Sequence, residues 1–286
     1  MNKTLCFLNL LVLTTFISCS SDDGGSATLL ELQVSKMTIE ESIDLGQTYP
    51  QRMVSIFENG LPKTDSIYFE NNLSFTSTYE YNNLNDLESL KFYDPNSVLM
   101  EEYLYTYDGL QRMQSISYQD FVFPFNSLSN YNYDQNNSID VNNGSFTIAY
   151  DSNELVTAIN SGSMALETAT YNGLLPQTVN VEENDTTFDY TFIPVNYKGG
   201  FRPRALFSDN RLNGYLHSDG LSNEGALTGL GNSNQLVGIQ RTFNNLNITQ
   251  NLTRTYTLDS NDYLKQITEA STNWSLELKR ISFEYE

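Results

Sequence analysis

His217 is the one imidazole of the chain, and it stands in Leu216-His217-Ser218-Asp219. A Ser-His-Asp relay needs a nucleophile, a base and an orienting acid, and no Gly-x-Ser-x-Gly elbow surrounds this serine. Zinc would need more histidines or thiols, and the two cysteines, Cys6 and Cys19, are remote in sequence. Lys198, Arg202, Arg204 and Arg211 crowd the same stretch. Arginine forks hold carboxylates, sulfates or acidic sugars by paired hydrogen bonds. Arg202, Arg204, Arg211 and His217 are therefore the candidate ligand-binding residues. Glycoside hydrolysis by paired carboxylates is compatible with 35 Asp and Glu, but no spacing selects a pair. Asp134-Gln-Asn136, Asp151-Ser-Asn153 and Asp259-Ser-Asn261 alternate oxygens as calcium loops do, without the later Gly and Glu that such loops use. The expectation is a protein that is not an enzyme, with no catalytic residue, metal or cofactor.

The segment that must position the arginines, about 193–238, carries half of the 16 glycines and breaks the alternation found on either side. Two readings are open. It is a long loop with a helical turn or two, around Ala205-Leu206-Phe207, holding binding residues over one end of a sheet. Otherwise it caps a sheet edge, its arginines paired with neighbouring acids.

Composition bounds the rest. Among 286 residues, 15 Lys and Arg face 35 Asp and Glu, for a net charge of −20. That field repels phosphate, so nucleic acid is excluded as a partner. With 19 Tyr and 16 Phe there is too much aromatic surface for a disordered chain. Tyr, Phe and Thr favour strands, and Asn, Asp and Gly favour the turns between them.

The first residues give an address. Lys3 precedes a short apolar run, Leu5 to Ile17, below the roughly 20 residues a membrane-spanning helix needs. The arrangement is that of a secretory signal. Phe16-Ile17-Ser18-Cys19 resembles a bacterial lipobox, whose cysteine is acylated, palmitate being one of its chains, and becomes the first mature residue. Ser20-Ser21-Asp22-Asp23 resembles the acidic export tag of surface lipoproteins of Bacteroidetes-type bacteria. The expected organisation is a signal peptide at 1–18, a lipidated cysteine and tether at 19–28, and one β-rich domain at 29–286. No thiol is then left for a disulfide in the folded part.

A unit recurs along that domain. Tyr105-Thr-Tyr107-Asp108 is followed by Met113 and Ile116, five and eight residues after the Asp. The same offsets relate Asn82 to Leu87 and Leu90, Asp151 to Val156 and Ile159, and Asp259 to Leu264 and Ile267. After Asp134 only Ile139 fits. Gln51 to Ile56 nearly duplicates Gln111 to Ile116, as a degenerate earlier copy would. Each unit reads as a hairpin: an alternating strand, an Asp or Asn that ends it, then a new strand.

The unit resembles the YD repeat of RHS and teneurin-type proteins, with a turn glycine at Gly109 that is replaced elsewhere, for example by Asn153 and Asn261. The closer resemblance, over about residues 45–286, is to Bacteroidetes-type surface lipoproteins of unknown function with degenerate YD-like hairpins. The expected fold is all-β: a twisted antiparallel meander of β-hairpins, curled or packed as a partly open barrel or sandwich, with the Gly/Arg-rich insert about 193–238. The expected function is a binding or structural role at the outer membrane, lipid-anchored and facing the exterior, with glycan or an outer-membrane protein as partner. Lipid handling in envelope assembly is the alternative, and a carboxylate-based hydrolase the least favoured.

Overall fold

The computed structural model describes residues 32–42, 48–134, 137–153, 155–173, 175–182, 185–194, 234–272 and 276–286. Lys198, Arg202, Arg204, Arg211, His217, Cys19 and Ser20 to Asp23 lie outside these residues, as does the expected helical turn near Ala205. The chain divides into Met1–Glu31 and Leu32–Glu286, and the second unit holds every described strand.

Eighteen strands follow one another along the described residues. They are β1 Val34–Glu41, β2 Gln51–Glu58, β3 Leu61–Phe69, β4 Asn72–Tyr81, β5 Leu87–Tyr93, β6 Leu99–Tyr107, β7 Met113–Asp120, β8 Phe125–Tyr133 and β9 Ser138–Val141. The second half comprises β10 Phe146–Tyr150, β11 Val156–Ser161, β12 Met164–Asn172, β13 Leu175–Val181, β14 Thr186–Pro194, β15 Asn234–Phe243, β16 Ile248–Leu258, β17 Leu264–Ser271 and β18 Leu276–Tyr285. Each strand pairs antiparallel with the next, and β1 pairs with both β2 and β18. The meander therefore closes into a barrel, where the sequence suggested a partly open one. Ile39 stands in register with Ile281 on one side and Met53 on the other. Closure removes both sheet edges, and no local sequence signal announces a pairing over so long a separation. The insert is also narrower than its expected bounds, because β14 runs to Pro194 and β15 begins at Asn234.

The hairpin unit has a definite geometry. The side chain of Asp108 accepts hydrogen bonds from the N–H groups of Leu110 and Arg112, at 2.8 and 3.0 Å. The Asp108 N–H donates to the Arg112 carbonyl, and the Gln111 N–H to the Asp108 carbonyl. Asn82 and Asp259 build the same turn with Leu84 and Asp86, and with Asn261 and Tyr263. Asp151 accepts from Asn153 and Leu155 in the same way. Asp94 does so between β5 and β6, at the other end of the barrel. The left-handed residue is the third after the Asp or Asn: Asn85, Ser97, Gln111, Asn137 and Asp262 have φ of 65, 64, 60, 56 and 67°. Gly109 has no positive φ and open space about its Cα. The turn glycine suggested by the sequence is thus not what the turn requires.

The offsets of five and eight follow from a bulge. Tyr107 pairs with Met113 and Thr106 with Ser115, so one residue of β7 is extra. Alternation alone would put Met113 and Ile116 on opposite faces; the extra residue returns both to one face. The same shift separates Leu87 from Leu90, Val156 from Ile159 and Leu264 from Ile267. Between β8 and β9 the register runs without a shift, Tyr133 to Ile139 and Tyr131 to Val141. The repeat loosens after Asp134 for that reason. The near-duplicate Gln51 to Ile56 is not an equivalent copy: it opens β2 at the opposite end of the barrel from Met113.

One face of the sheet gathers the apolar side chains. Met113, Ile139, Val179 and Leu264 have at most 1% of their surface exposed. Two clusters form on it, one centred on Ile139, Ile148, Val179 and Ile239, the other on Met37, Phe57, Leu264 and Phe283. The other face carries polar cross-strand pairs such as Thr106 with Ser115, Gln240 with Asn251 and Thr187 with Asn180. Lys36 with Glu284 and Lys91 with Glu80 lie on it too. Side chains converge on the concave side of a closed sheet and splay on the convex side, so the crowded apolar face is the inner one.

Strand ends are tied by tyrosine. The hydroxyls of Tyr81 and Tyr107 each donate 2.9 Å bonds to the carbonyls of Pro62 and Leu87, near the start of the preceding strand. Tyr171, Tyr256 and Tyr285 do the same to Val156, Leu236 and Leu264. Burial raises the phenols of Tyr81, Tyr107 and Tyr171 well above the ordinary tyrosine range, so each stays a donor. Tyr107→Phe is expected to cost about 1 kcal/mol, read as a lower urea midpoint with an unchanged slope.

Asp108 supplies the second stability test. Burial raises its carboxyl, but the Arg112 side chain and the Arg112 and Leu110 amides outweigh it and hold the group below the usual carboxylate range. The Arg112 ion pair is partly exposed, which discounts its contribution to stability. Asp108→Ala should cost about 1–2 kcal/mol, and Asp108→Asn markedly less, since Asn82 builds the same turn. A depressed folded-state pKa stabilises above the unfolded value and fades as pH falls through the folded one. Asp108→Asn should therefore lessen the loss of stability below about pH 4, measured by urea titrations across pH.

Candidate functional site

Among the described residues the inner face holds a run of five aromatic rings. Phe75 of β4, Phe92 of β5, Tyr103 of β6, Tyr118 of β7 and Phe125 of β8 follow one another with centroid separations of 6.1, 6.1, 4.8 and 6.2 Å. Tyr103 and Tyr118 face each other directly in register; the other contacts are diagonal, within reach for large side chains. Strand alternation sets them on the side occupied by Ile67, Leu90 and Ile116.

The row opens at β8. Phe125 is 59% exposed, and the next two inward positions are Ser127 and Ser129, opposite Tyr118 and Ile116. A small side chain, Ser127, thus stands directly opposite the partly buried Tyr118. Glu101 lies opposite Phe92, and Asp120 opposite Phe125. The Tyr118 hydroxyl donates a long 3.4 Å bond to Asp120. Partial burial, then the Glu101 and Asp120 carboxylates, raise the Tyr118 phenol above its ordinary range. The site is thus an apolar shelf of rings with hydroxyls and carboxylates at its margin. Such a surface suits a neutral ligand with both C–H faces and hydroxyl donors.

Two further polar groups face inward. Asp65 is buried between Ser55 and Ser77 in register and accepts hydrogen bonds from the Ser77 and Tyr79 hydroxyls. Burial, then the Asp65 carboxylate, push the Tyr79 phenol far above its usual range. Arg254 of β16 donates from Nε to Glu269 of β17 at 2.9 Å, and both are nearly enclosed. Glu269 stands in register with Lys279, whose Nζ is 2.9 Å from Glu41. These inward carboxylates are committed to partners, and no cluster of metal-ligating groups occurs among the described residues.

Asp134, Asp151 and Asp259, whose spacing imitates a calcium loop, spend an oxygen on backbone N–H groups of their own turns. The aromatic row was not singled out from the sequence. Its members share strand parity with Ser127 and Ser129, and an inward aromatic stripe ending in serines was the available signal.

No family model and no curated relative matches the chain. Solved structures with similar arrangements include a porin-like protein from Bacteroides uniformis, at TM-score 0.30 and 11% identity over 88% of this chain and 96% of that one. A porin-like protein from Bacteroides vulgatus follows at 0.28 and 12%, covering 90% and 99%. A Tc holotoxin pore from Photorhabdus luminescens gives 0.28 and 11%, covering 86% of this chain and 12% of that one. Superpositions this loose carry no argument about function.

Proposed function

We propose that this protein is an outer-membrane lipoprotein, anchored through Cys19 and displayed to the exterior, whose barrel holds a glycan against the inner aromatic row. The row from Phe75 to Phe125 carries the reading. Pyranose rings present C–H faces that lie well on aromatic rings, while Ser127, Ser129, Glu101 and Asp120 are the hydroxyl partners nearest the row. The field of −20 favours a neutral sugar over an acidic one.

The faces of the barrel support attachment by an anchor. A membrane-spanning barrel turns apolar residues outward and polar ones inward; the polar pairs here are outward and the core clusters inward. Membrane attachment then falls to the lipid on Cys19, and Ser20 to Asp23 act as the export tag. The shared Asx turn of the hairpins accords with the YD-like lipoprotein resemblance. The inner apolar clusters favour lipid handling as a second reading, against which stand the inward charges of Arg254, Glu269 and Lys279.

Tyr103→Ala and Tyr118→Ala should each weaken binding of neutral oligosaccharides about fivefold, the scale of about 1 kcal/mol for one aromatic contact. Calorimetry with ligands chosen from a glycan array reads this, with circular dichroism checking the fold. Unchanged affinity in both variants, or an array with no binding, sinks the glycan reading. For the anchor, Cys19→Ser should abolish incorporation of labelled palmitate and move the chain from the membrane to the soluble fraction.

A further inference from the structure

β8 is nine residues long, but β9, its neighbour, has four. Their ladder covers Tyr131 to Tyr133. One more step ties Asn130 to Asn142: the Asn130 N–H donates to the Asn142 side chain and the Asn142 N–H to the Asn130 carbonyl. Beyond it, Phe125 to Ser129 pair with β7 alone among the described residues. Asn130 turns its backbone groups toward β9, so alternation turns those of Leu128 and Asn126 to the same side, where no described strand meets them. Among the described residues the closed barrel thus keeps a short open edge on β8.

The tip of the β7–β8 hairpin is apolar. Phe121-Val122-Phe123-Pro124-Phe125 joins the strands, with Phe123 75% and Leu128 55% exposed. The Asp120 carboxylate accepts from the Val122 and Phe123 N–H groups at 2.8 Å each and fixes the tip. A shape fixed beforehand lowers the ordering cost of binding. From Phe121 to Tyr133 there is no charged residue, in a chain of net charge −20.

We propose that this edge is the contact between two copies of the chain, joined antiparallel, β8 to β8. An antiparallel strand edge is self-complementary, as a two-fold contact demands. With the axis at Ser127, Asn126 of one copy faces Leu128 of the other, and each pair exchanges both backbone bonds. Pro124 lacks an N–H and ends the ladder at the tip. The uncharged stretch lets two acidic molecules approach without opposed carboxylates. Phe121, Val122, Phe123 and Leu128 expose on the order of 450 Å² together, over half of the roughly 800 Å² per partner of a standard interface.

Sedimentation velocity on the full-length chain tests this. The native chain should be dimeric at micromolar concentration. Leu128→Pro deletes an N–H that pairs with no described strand, so it should give a monomer with unchanged circular dichroism. Phe123→Ser, outside the ladder, should weaken the dimer at least about tenfold, as loss of an apolar anchor does. A native chain that stays monomeric up to about 0.1 mM, or a dimer unaffected by Phe123→Ser, overturns the proposal. Flotation of a monomeric native chain with phosphatidylcholine vesicles, lost in Phe123→Ser, would assign the tip to a lipid surface and overturn it too.

Discussion

The architecture depends on one oxygen accepting two amide hydrogens. When Asp108, or Asn82, Asp151 or Asp259, takes the N–H groups two and four residues ahead, the chain must turn within a fixed number of residues. It must also carry a left-handed residue at a fixed place. At Asn82, Asp108, Asp151 and Asp259 a bulge in the next strand follows the turn, and the bulge decides which face the following apolar residues occupy. Bulges strengthen twist and bend a strand. Repeated from hairpin to hairpin, the bend curls a meander until its first and last strands meet. Tyrosine hydroxyls then fasten hairpins at the bulge, each donating to a carbonyl near the start of the preceding strand.

Much of this was legible in the sequence because it is local. The offsets of five and eight encode turn, bulge and inward face together, and the loosened pattern after Asp134 marks the one such junction without a bulge. Gly109 misled because glycine is the usual sign of a left-handed residue, whereas Asx-type turns here give that conformation to Gln111, Asn85 or Asp262. Gln51 to Ile56 misled because a hexapeptide does not record which end of the barrel it starts from.

Non-local features were not legible. Closure rests on backbone pairing between Val34–Glu41 and Leu276–Tyr285, which leaves only an alternating pattern in each strand. The aromatic row shares its residue types with the core clusters, so composition could not separate a shelf from a core. The arginine cluster and His217 drew attention as rare types in an acidic chain, yet they fall outside the described residues. The site that emerged instead is made of the commonest aromatic residues, distinguished by what stands beside them: Ser127 and Ser129.

The place of β1 has a consequence for how the molecule comes into being. Gln33 and Glu286 exchange backbone hydrogen bonds, so the two ends of the barrel's chain finish side by side. A chain synthesised from its amino end presents β1 first and its sealing partner β18 last. Until β18 arrives the growing sheet has two bare edges, and the closing contact spans the full domain. High contact order makes such a step slow. A chaperone that shields strand edges would have its longest task here between the emergence of Val34 and that of Tyr285.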